Sequence, residues 1–366
     1  MSGEALARTP LYAEHVALGG KMVPFAGFEM PVQYRDGALK EYHAVREGAA
    51  GLFDISHMGQ VRIDGPGAEA FLQHVATNDV SRLTDGQVQY SALLHEAGTF
   101  IDDITTYRLA EDHYYLCINA ANRHKDVAHL AAQAKGFDVR VTDASDTTTL
   151  LALQGEQAQA MLQPLTDCDL DAIAYYHVVT GQLDGSKAMI SRTGYTGEDG
   201  FEVYLPNTAA VGVWRALLAA GAAPVGLAAR DMLRTEMGYA LYGHEISDTV
   251  TPVEAGLMWI TRLDKGGFIG RDAVVARKAE GRQKALIGLR LTERGIPREH
   301  YPVIAGGRVV GEVTSGMYSP LAGTGVALAY VDPALATEGE LAVDIRGKAV
   351  AVERAKPPFV RSRVKK

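Results

Sequence analysis

Apolar residues recur at helical spacing in several stretches of the chain. In "DGALKEYHAVREGA", Leu39, Tyr42, Ala44 and Val45 group on one side of a predicted helix. "GPGAEAFLQHVAT" predicts a second helix, opening at Pro66. In "NAANRHKDVAHLAAQAKGF", Val127, Leu130, Ala131 and Ala134 fall at i, i+3, i+4 and i+7, with Gly136 as a stop. Between these last two, the pattern changes to strands. "VQYSALLHE", "TFIDDITTYRL" and "HYYLCIN" are joined by linkers short enough for hairpins, which predicts an antiparallel meander. No internal repeat is evident along the chain. A second α+β block runs from "TTLLALQG" to "GLMWITRLDKGGFIG", with "VGLAARDMLRTEMGYAL" as its longest helix. After about residue 276 the chain becomes short β-rich runs broken by Gly and Pro, the texture of a small barrel or sandwich.

Composition narrows the class. At 366 residues, 47% hydrophobic and 22% charged, the chain is ordinary globular material for two or three domains. A net charge of −8 argues against general nucleic-acid binding. Cys117 and Cys168 stand far apart, which suits a reducing compartment rather than a disulfide framework. The start lacks the apolar run of a secretory signal, and no run reaches membrane-spanning length. The expected location is therefore cytoplasmic, with no membrane partner.

Two adjacent acids, Asp102 and Asp103, lie in the middle of a predicted strand, where Asp is disfavoured. Strand neighbours point to opposite faces, so one acid turns inward. Strict alternation groups Asp103 with Ile101, Thr105 and Tyr107, and Asp102 with Phe100, Ile104 and Thr106. Both faces mix apolar and polar groups, so alternation does not choose. Two readings stand. One is a bulge whose acids accept backbone N–H bonds. The other is one solvated acid and one acid pointed into a Tyr-lined cleft, with a pKa suited to proton handling.

"SRTGYTGEDGFEVYL" carries Gly194, Gly197 and Gly200 three apart. The residues after Gly200 alternate like a strand, and Glu198 and Asp199 would repel phosphate, so this is no dinucleotide loop. A glycine-hinged Tyr195 can lie flat on a planar ligand. Glu202 can accept paired N–H donors, as from a guanine-like or pterin edge. The alternative is a long hairpin with an exposed Glu. Arg230 and Arg234 share one helix face, either in a salt-bridge lattice with Asp231 and Glu236 or as a cationic wall. The eleven histidines make no tight metal spacing, so no metal is expected. "DISHMG" brings Asp54, Ser56 and His57 together without a G-x-S-x-G elbow, which argues against a serine hydrolase.

The motifs together carry more than each alone. "TPLYAEHVALGGKMVPFAGFEMPVQY", "GLFDISHMGQV", "GTFIDDITTY", "CINAAN", "SRTGYTGEDGFE", "GLAARDMLRTEMGYALYGHEI", "TPVEAGLMWIT" and "GEVTSGMYSP" occur in one order. In this the chain resembles the T-protein family of the glycine cleavage system, the tetrahydrofolate-dependent aminomethyltransferases. The similarity runs from about residue 8 to residue 360.

The resemblance implies an α+β fold, a three-domain cloverleaf of mostly antiparallel sheets with helices and a C-terminal β-barrel or jelly-roll-like domain. It implies a discontinuous folate-binding domain at 1–55 and 145–275, an inserted domain at 56–144 carrying the catalytic acid, and a barrel at 276–366. The catalytic acid maps onto Asp103, with Asp102 structural. Glu202 and Arg230 would take polar edges of the pterin. Met58, Tyr90, Tyr107, Tyr195 and Trp259 would pack its rings, and Asn119 would bond the ligand. Arg361 and Arg363 would lie near the folate tail. The implied co-substrate is tetrahydrofolate and the implied partner is the lipoylated H-protein, with ammonia and methylenetetrahydrofolate as products. Rival readings are a folate-dependent demethylase of the same fold or a non-catalytic folate-binding protein. An iron–sulfur maturation relative would carry a K-G-C-Y type motif, where this chain has Gly267.

Overall fold

The computed structural model describes residues 5–365. The meander forms as its alternation predicts. Strands Val88–Leu94, Phe100–Ala110, His113–Ile118, Gly59–Asp64 and Arg140–Asp143 lie in that order, all antiparallel. Helices Ala68–Val75 and Arg123–Gln133 cover one face. Phe71, Leu72, Val75 and Leu130 there meet Val61, Ile63, Ile104 and Leu116, a dry core that drives the docking. Two of the periodic positions face water. Ala131 is exposed, and Leu39 is 54% exposed on helix Ala38–Arg46, which buries Tyr42 and Val45 instead. A helix end needs only one narrow apolar stripe, so the outer positions of a counted face are free to face water.

A second sheet runs Val178–Leu183, Ser186–Ser191, Gly200–Pro206, Thr148–Gln154, Gly51–Asp54, Ala223–Pro224. Only the last pairing is parallel. Phe201, Val203 and Leu205 point into its core with Trp214. Glu202 and Tyr204, between them, point the other way, since side chains alternate across the sheet.

The two sheets share one plan, so the expectation of no repeat is corrected. Strand, glycine, helix, 3₁₀ turn and hairpin succeed one another in the same order from Gly59 and again from Thr149. Equivalent residues lie 90 apart, as in Gly65 and Gly155, Ala68 and Ala158, Leu72 and Leu162, or Val88 and Val178. Gly65 and Gly155 hold φ of 133° and 135°, a turn that side-chained residues avoid. The glycine and a few core residues persist, scattered among diverged positions, which hides the repeat from a reading of residue types. The copies join edge to edge about a local two-fold. Val88 N–H donates to Tyr176 O at 2.9 Å, and its counterpart Val178 N–H donates to Gly86 O at 2.8 Å.

The third unit is a closed barrel of six strands between Ala285 and Arg354. Its core is Leu289, Val303, Val313, Ala327, Ala329, Val331, Leu341 and Val343. It closes as the Gly- and Pro-broken β texture requires, because closure leaves no free edges.

A buried charged network ties the barrel to the rest. The Arg46 guanidinium meets Glu198 at 2.6 Å and Glu236 at 2.9 Å. Tyr42 O–H and Ser319 O–H donate to the other Glu236 oxygen. Glu236 is thus used by Arg46, not by the nearer-in-sequence Arg234 of the lattice reading. Arg234 pairs with Asp231 at 2.7 Å and with Glu245 at 2.9 Å, and donates to Ser315 on the barrel at 2.7 Å. Removing one member of a buried pair strands its partner's charge. Arg46→Met should therefore cost about 3–5 kcal/mol in urea denaturation. Adding Glu236→Gln should recover part of it. A loss below about 1 kcal/mol, as for an exposed pair, would contradict a buried, mutually dependent network.

Candidate active site

The strand Phe100–Ala110 positions the acid pair through a bulge. Leu94 pairs with Phe100 and Leu93 with Asp102, so Ile101 has no partner. One extra residue switches the faces. Ile101 joins Leu93 and Ile104 in the core under the helices, while Phe100 joins Ala92 and Leu94 on the opposite side. Strict alternation placed Ile101 with Asp103, and the bulge corrects that. Asp102 consequently turns to the helices, and Asp103 to a cavity between the sheets. The bulge and the cleft acid are both present, but the second acid is not solvated: Asp102 is fully buried among its donors.

The cavity holds about 690 Å³, within the usual range for small-molecule sites. Asp103, Asn119, Tyr90, Tyr107, Met58, Glu202, Tyr195, Arg230 and Trp259 all line it. Arg361 and Arg363 do not. Arg361 is exposed. The Arg363 guanidinium reaches Glu198 at 2.9 Å and donates to the Arg46 carbonyl, while its backbone N–H bonds Gly197 O at 2.7 Å. Its guanidinium is thus paired into the buried network and does not line the cavity.

Asp103 is open to the cavity and held from two sides. Tyr90 O–H donates to one carboxyl oxygen at 2.8 Å, and the Asn119 amide donates to the other at 2.7 Å. The same amide donates to Asp102 at 2.8 Å. Asn119 therefore positions the acid with the donors expected, from sequence, to meet a ligand. Burial, and next the Asp102 charge, push the Asp103 carboxyl up to about 7, against the pull of its Tyr90 and Asn119 donors.

The other sheet supplies the polar counterpart. Glu202 accepts from Thr193 O–H at 2.5 Å, and burial raises its pKa against the pull of Thr193 and Arg230. The Arg230 guanidinium lies 4.7 Å over the Tyr195 ring, a cation–π contact, and so forms a cationic wall rather than a salt bridge. Tyr195 stacks on Tyr239 with ring centres 5.6 Å apart and donates its O–H to the Ala240 carbonyl, which fixes a flat aromatic face. Trp259 is 64% exposed and leans on Tyr90 at 5.8 Å. Tyr107 is a floor residue, its hydroxyl accepting from Tyr204 at 2.8 Å.

Thr193, Tyr176 and Tyr239 also line the cavity, and sequence reasoning does not find them. Thr193 gives no signal, since lone threonines are common. Tyr176 does carry one. It sits at φ 58°, at the repeat position where the first copy has Gly86 at φ 83°. A side chain kept at such a backbone position points to use.

Comparison with known proteins settles the family. Residues 11–265 match the GCVT N-terminal domain and residues 284–361 the glycine cleavage T-protein C-terminal barrel domain. The chain belongs to the glycine cleavage T-protein family. It is 48% identical over 350 residues to an aminomethyltransferase of Desulfitobacterium hafniense, covering 94% of this chain and 95% of that one. It is 48% identical over 353 residues to an aminomethyltransferase of Thermus thermophilus, covering 96% and 99%. The crystal structure of glycine cleavage system aminomethyltransferase T from Bartonella henselae superposes with a TM-score of 0.93 at 37% identity, covering 99% of this chain and 100% of that one. For a member of this family acting through an ionised Asp103, kcat/KM should fall as pH drops through about 7. Tyr90→Phe removes a donor to the charged form, so it should move that acid limb to higher pH. A limb unmoved by Tyr90→Phe, or one at the ordinary carboxylate pKa, would count against Asp103 as the titrating group.

Proposed function

We propose that the cavity is where tetrahydrofolate receives a one-carbon unit from the lipoyl arm of a carrier, the H-protein, in the cytoplasm. The activity is aminomethyl transfer in the glycine cleavage system, as in the family. The observation that carries the site is the placement of Asp103 and Glu202. Two carboxyls from different sheets face one aromatic-lined cavity, each already oriented by a protein donor.

These residues fit a reduced folate. Glu202 can accept two N–H donors from the amino-pyrimidine edge, with Arg230 on a carbonyl edge. Tyr195, Tyr90, Trp259 and Met58 offer flat or adaptable apolar surface to the rings. Residues Pro357 to Arg363 pass against Gly238 and Gly197, beside cavity-lining Tyr239 and Thr196. Arg361 lies on that segment with its side chain exposed, and is the candidate to meet the glutamate tail's carboxylates.

The net reaction moves one carbon. It loses its bonds to the amine nitrogen and the lipoyl sulfur and gains bonds to two folate nitrogens. The two displaced N–H protons end on ammonia and on the thiol. Asp103, ionised, orients a folate N–H and stabilises positive charge developing at the transferred carbon. At a pKa near 7 it also accepts and returns a proton without a large penalty. Asn119 and Tyr90 fix its angle, so little reorganisation is needed at the moment of transfer.

Asp103→Asn keeps the shape and removes the charge. Incubated with aminomethylated carrier and tetrahydrofolate, it should form ammonia and methylenetetrahydrofolate at least about 100-fold more slowly. Folate affinity, read by calorimetry, should stay close to that of the native chain. Glu202→Ala should instead weaken folate binding by about 10-fold or more. Full activity in Asp103→Asn, or unchanged affinity in Glu202→Ala, would remove that residue from its role. A native chain without product would favour a demethylase or a non-catalytic folate binder.

A further inference from the structure

Behind Asp103 lies a third carboxyl that the transfer chemistry does not use. Asp126 sits on helix Arg123–Gln133, fully buried. Neither of its oxygens has a hydrogen-bond donor among the described residues. Asn122, four residues earlier on the same side of this helix, donates to Asp102 at 2.6 Å, which sets Asp126 beside Asp102, also fully buried. Asp102 accepts three N–H bonds, from Asn119 N, the Asn119 amide and the Asn122 amide. Two carboxylates are acceptors only, so the contact is repulsive unless one holds a proton. The donors collect on Asp102, which leaves the proton to Asp126.

We propose that Asp126 is a protonated acid, the fourth donor to Asp102, and a positioning residue that sets the charge felt by Asp103. Its O–H completes the ring of donors that keeps Asp102 ionised and its carboxyl fixed. Asn119 is then held with one amide divided between Asp102 and Asp103. The inference rests on Asp103 being the acid at the folate.

The surroundings agree. Burial first, and Asp102 next, push the Asp126 carboxyl up to about 11. The cation nearest in sequence, Lys125, is turned outward to Tyr242 O–H at 2.7 Å and Asp248 at 3.0 Å. Lys125 and Tyr242, with Asp102 and Asp103 on the facing strand, are charged or titratable groups that face Asp126, Lys125 alone favouring its charged form. On the same helix His129 comes one turn later, with burial and the nearby His95 and His74 lowering its pKa, so it brings no charge at neutral pH. Tyr90, across the sheet, is engaged with Asp103.

Infrared spectroscopy of the native chain at about pH 9, where ordinary carboxyls are ionised, tests the proton directly. A protonated-carboxyl band should be present and should vanish in Asp126→Asn. A native chain without the band overturns the proposal. The coupling to Asp103 is read in the pH profile of kcat/KM. Asp126→Ala deprives Asp102 of a donor, so Asp102 takes up a proton more readily. The negative charge beside Asp103 is then lost, and the acid limb moves down by about one pH unit. Asp126→Asn supplies an amide donor and should restore the native limb. An Ala variant with the native limb, or an Asn variant shifted as far as Ala, refutes the coupling. The band is seen without turnover, so its absence removes Asp126 and leaves Asp103 standing. Full activity of Asp103→Asn does the reverse.

Discussion

One side-chain amide holds the centre of this molecule together. Asn119 ends a strand, and its NH₂ reaches two carboxyls on the neighbouring strand, one sealed in a core and one open to the cavity. Without that bridge the two acids would be adjacent like charges in a medium that penalises both. With it, both acids share one donor, Asp102 facing the helices and Asp103 the cavity. The bulge at Ile101 is what allows this. It lets Phe100 and Ile101 each face apolar surroundings while the acids still point to opposite sides.

The cavity itself arises from the repeat. Two copies of one strand–helix–hairpin plan meet through reciprocal backbone bonds at Gly86 and Tyr176. A local two-fold of this kind brings equivalent faces together and leaves a shared hollow between them. Divergence then made the hollow chemically unequal. One copy contributes Asp103 and Tyr90, the other Glu202 and Thr193. Asymmetry suits a reaction in which one carbon passes between two unlike partners.

Much of this is legible in the chain. The meander, the first helices and the barrel announce themselves, because each has a period or a texture imposed by burial. The acid pair stands out because Asp in a strand demands a reason. Other features are invisible for physical causes. A bulge adds one residue without a residue type of its own, so strict alternation misplaces Ile101. Glu236 and Arg46 are 190 residues apart, and no local spacing predicts their bond, so the nearer Arg234 looks like the partner. Arg363 looks like a free cation because its partners, Glu198 and the Arg46 carbonyl, are also distant in sequence. The repeat is hidden because the glycine and the few core residues it keeps are scattered among diverged positions.

The buried arginine network bears on the site as well as on stability. Arg234 anchors the same helix that carries Arg230, gripping Asp231, Glu245 and the barrel's Ser315. With those acids taken by Arg234, Arg230, one turn earlier, has no ion pair among the described residues and lies over Tyr195 facing the cavity. The same logic applies to the acids. Asp102 is surrounded by donors, whereas Asp103 has two and an open side. Neighbouring groups of one chemical type are thus driven to different protonation behaviour by what the fold places around them. A chain of net charge −8 can in this way offer an anionic ligand a cationic wall and a carboxyl poised near neutral pH. What decides it is which charges the core has already claimed.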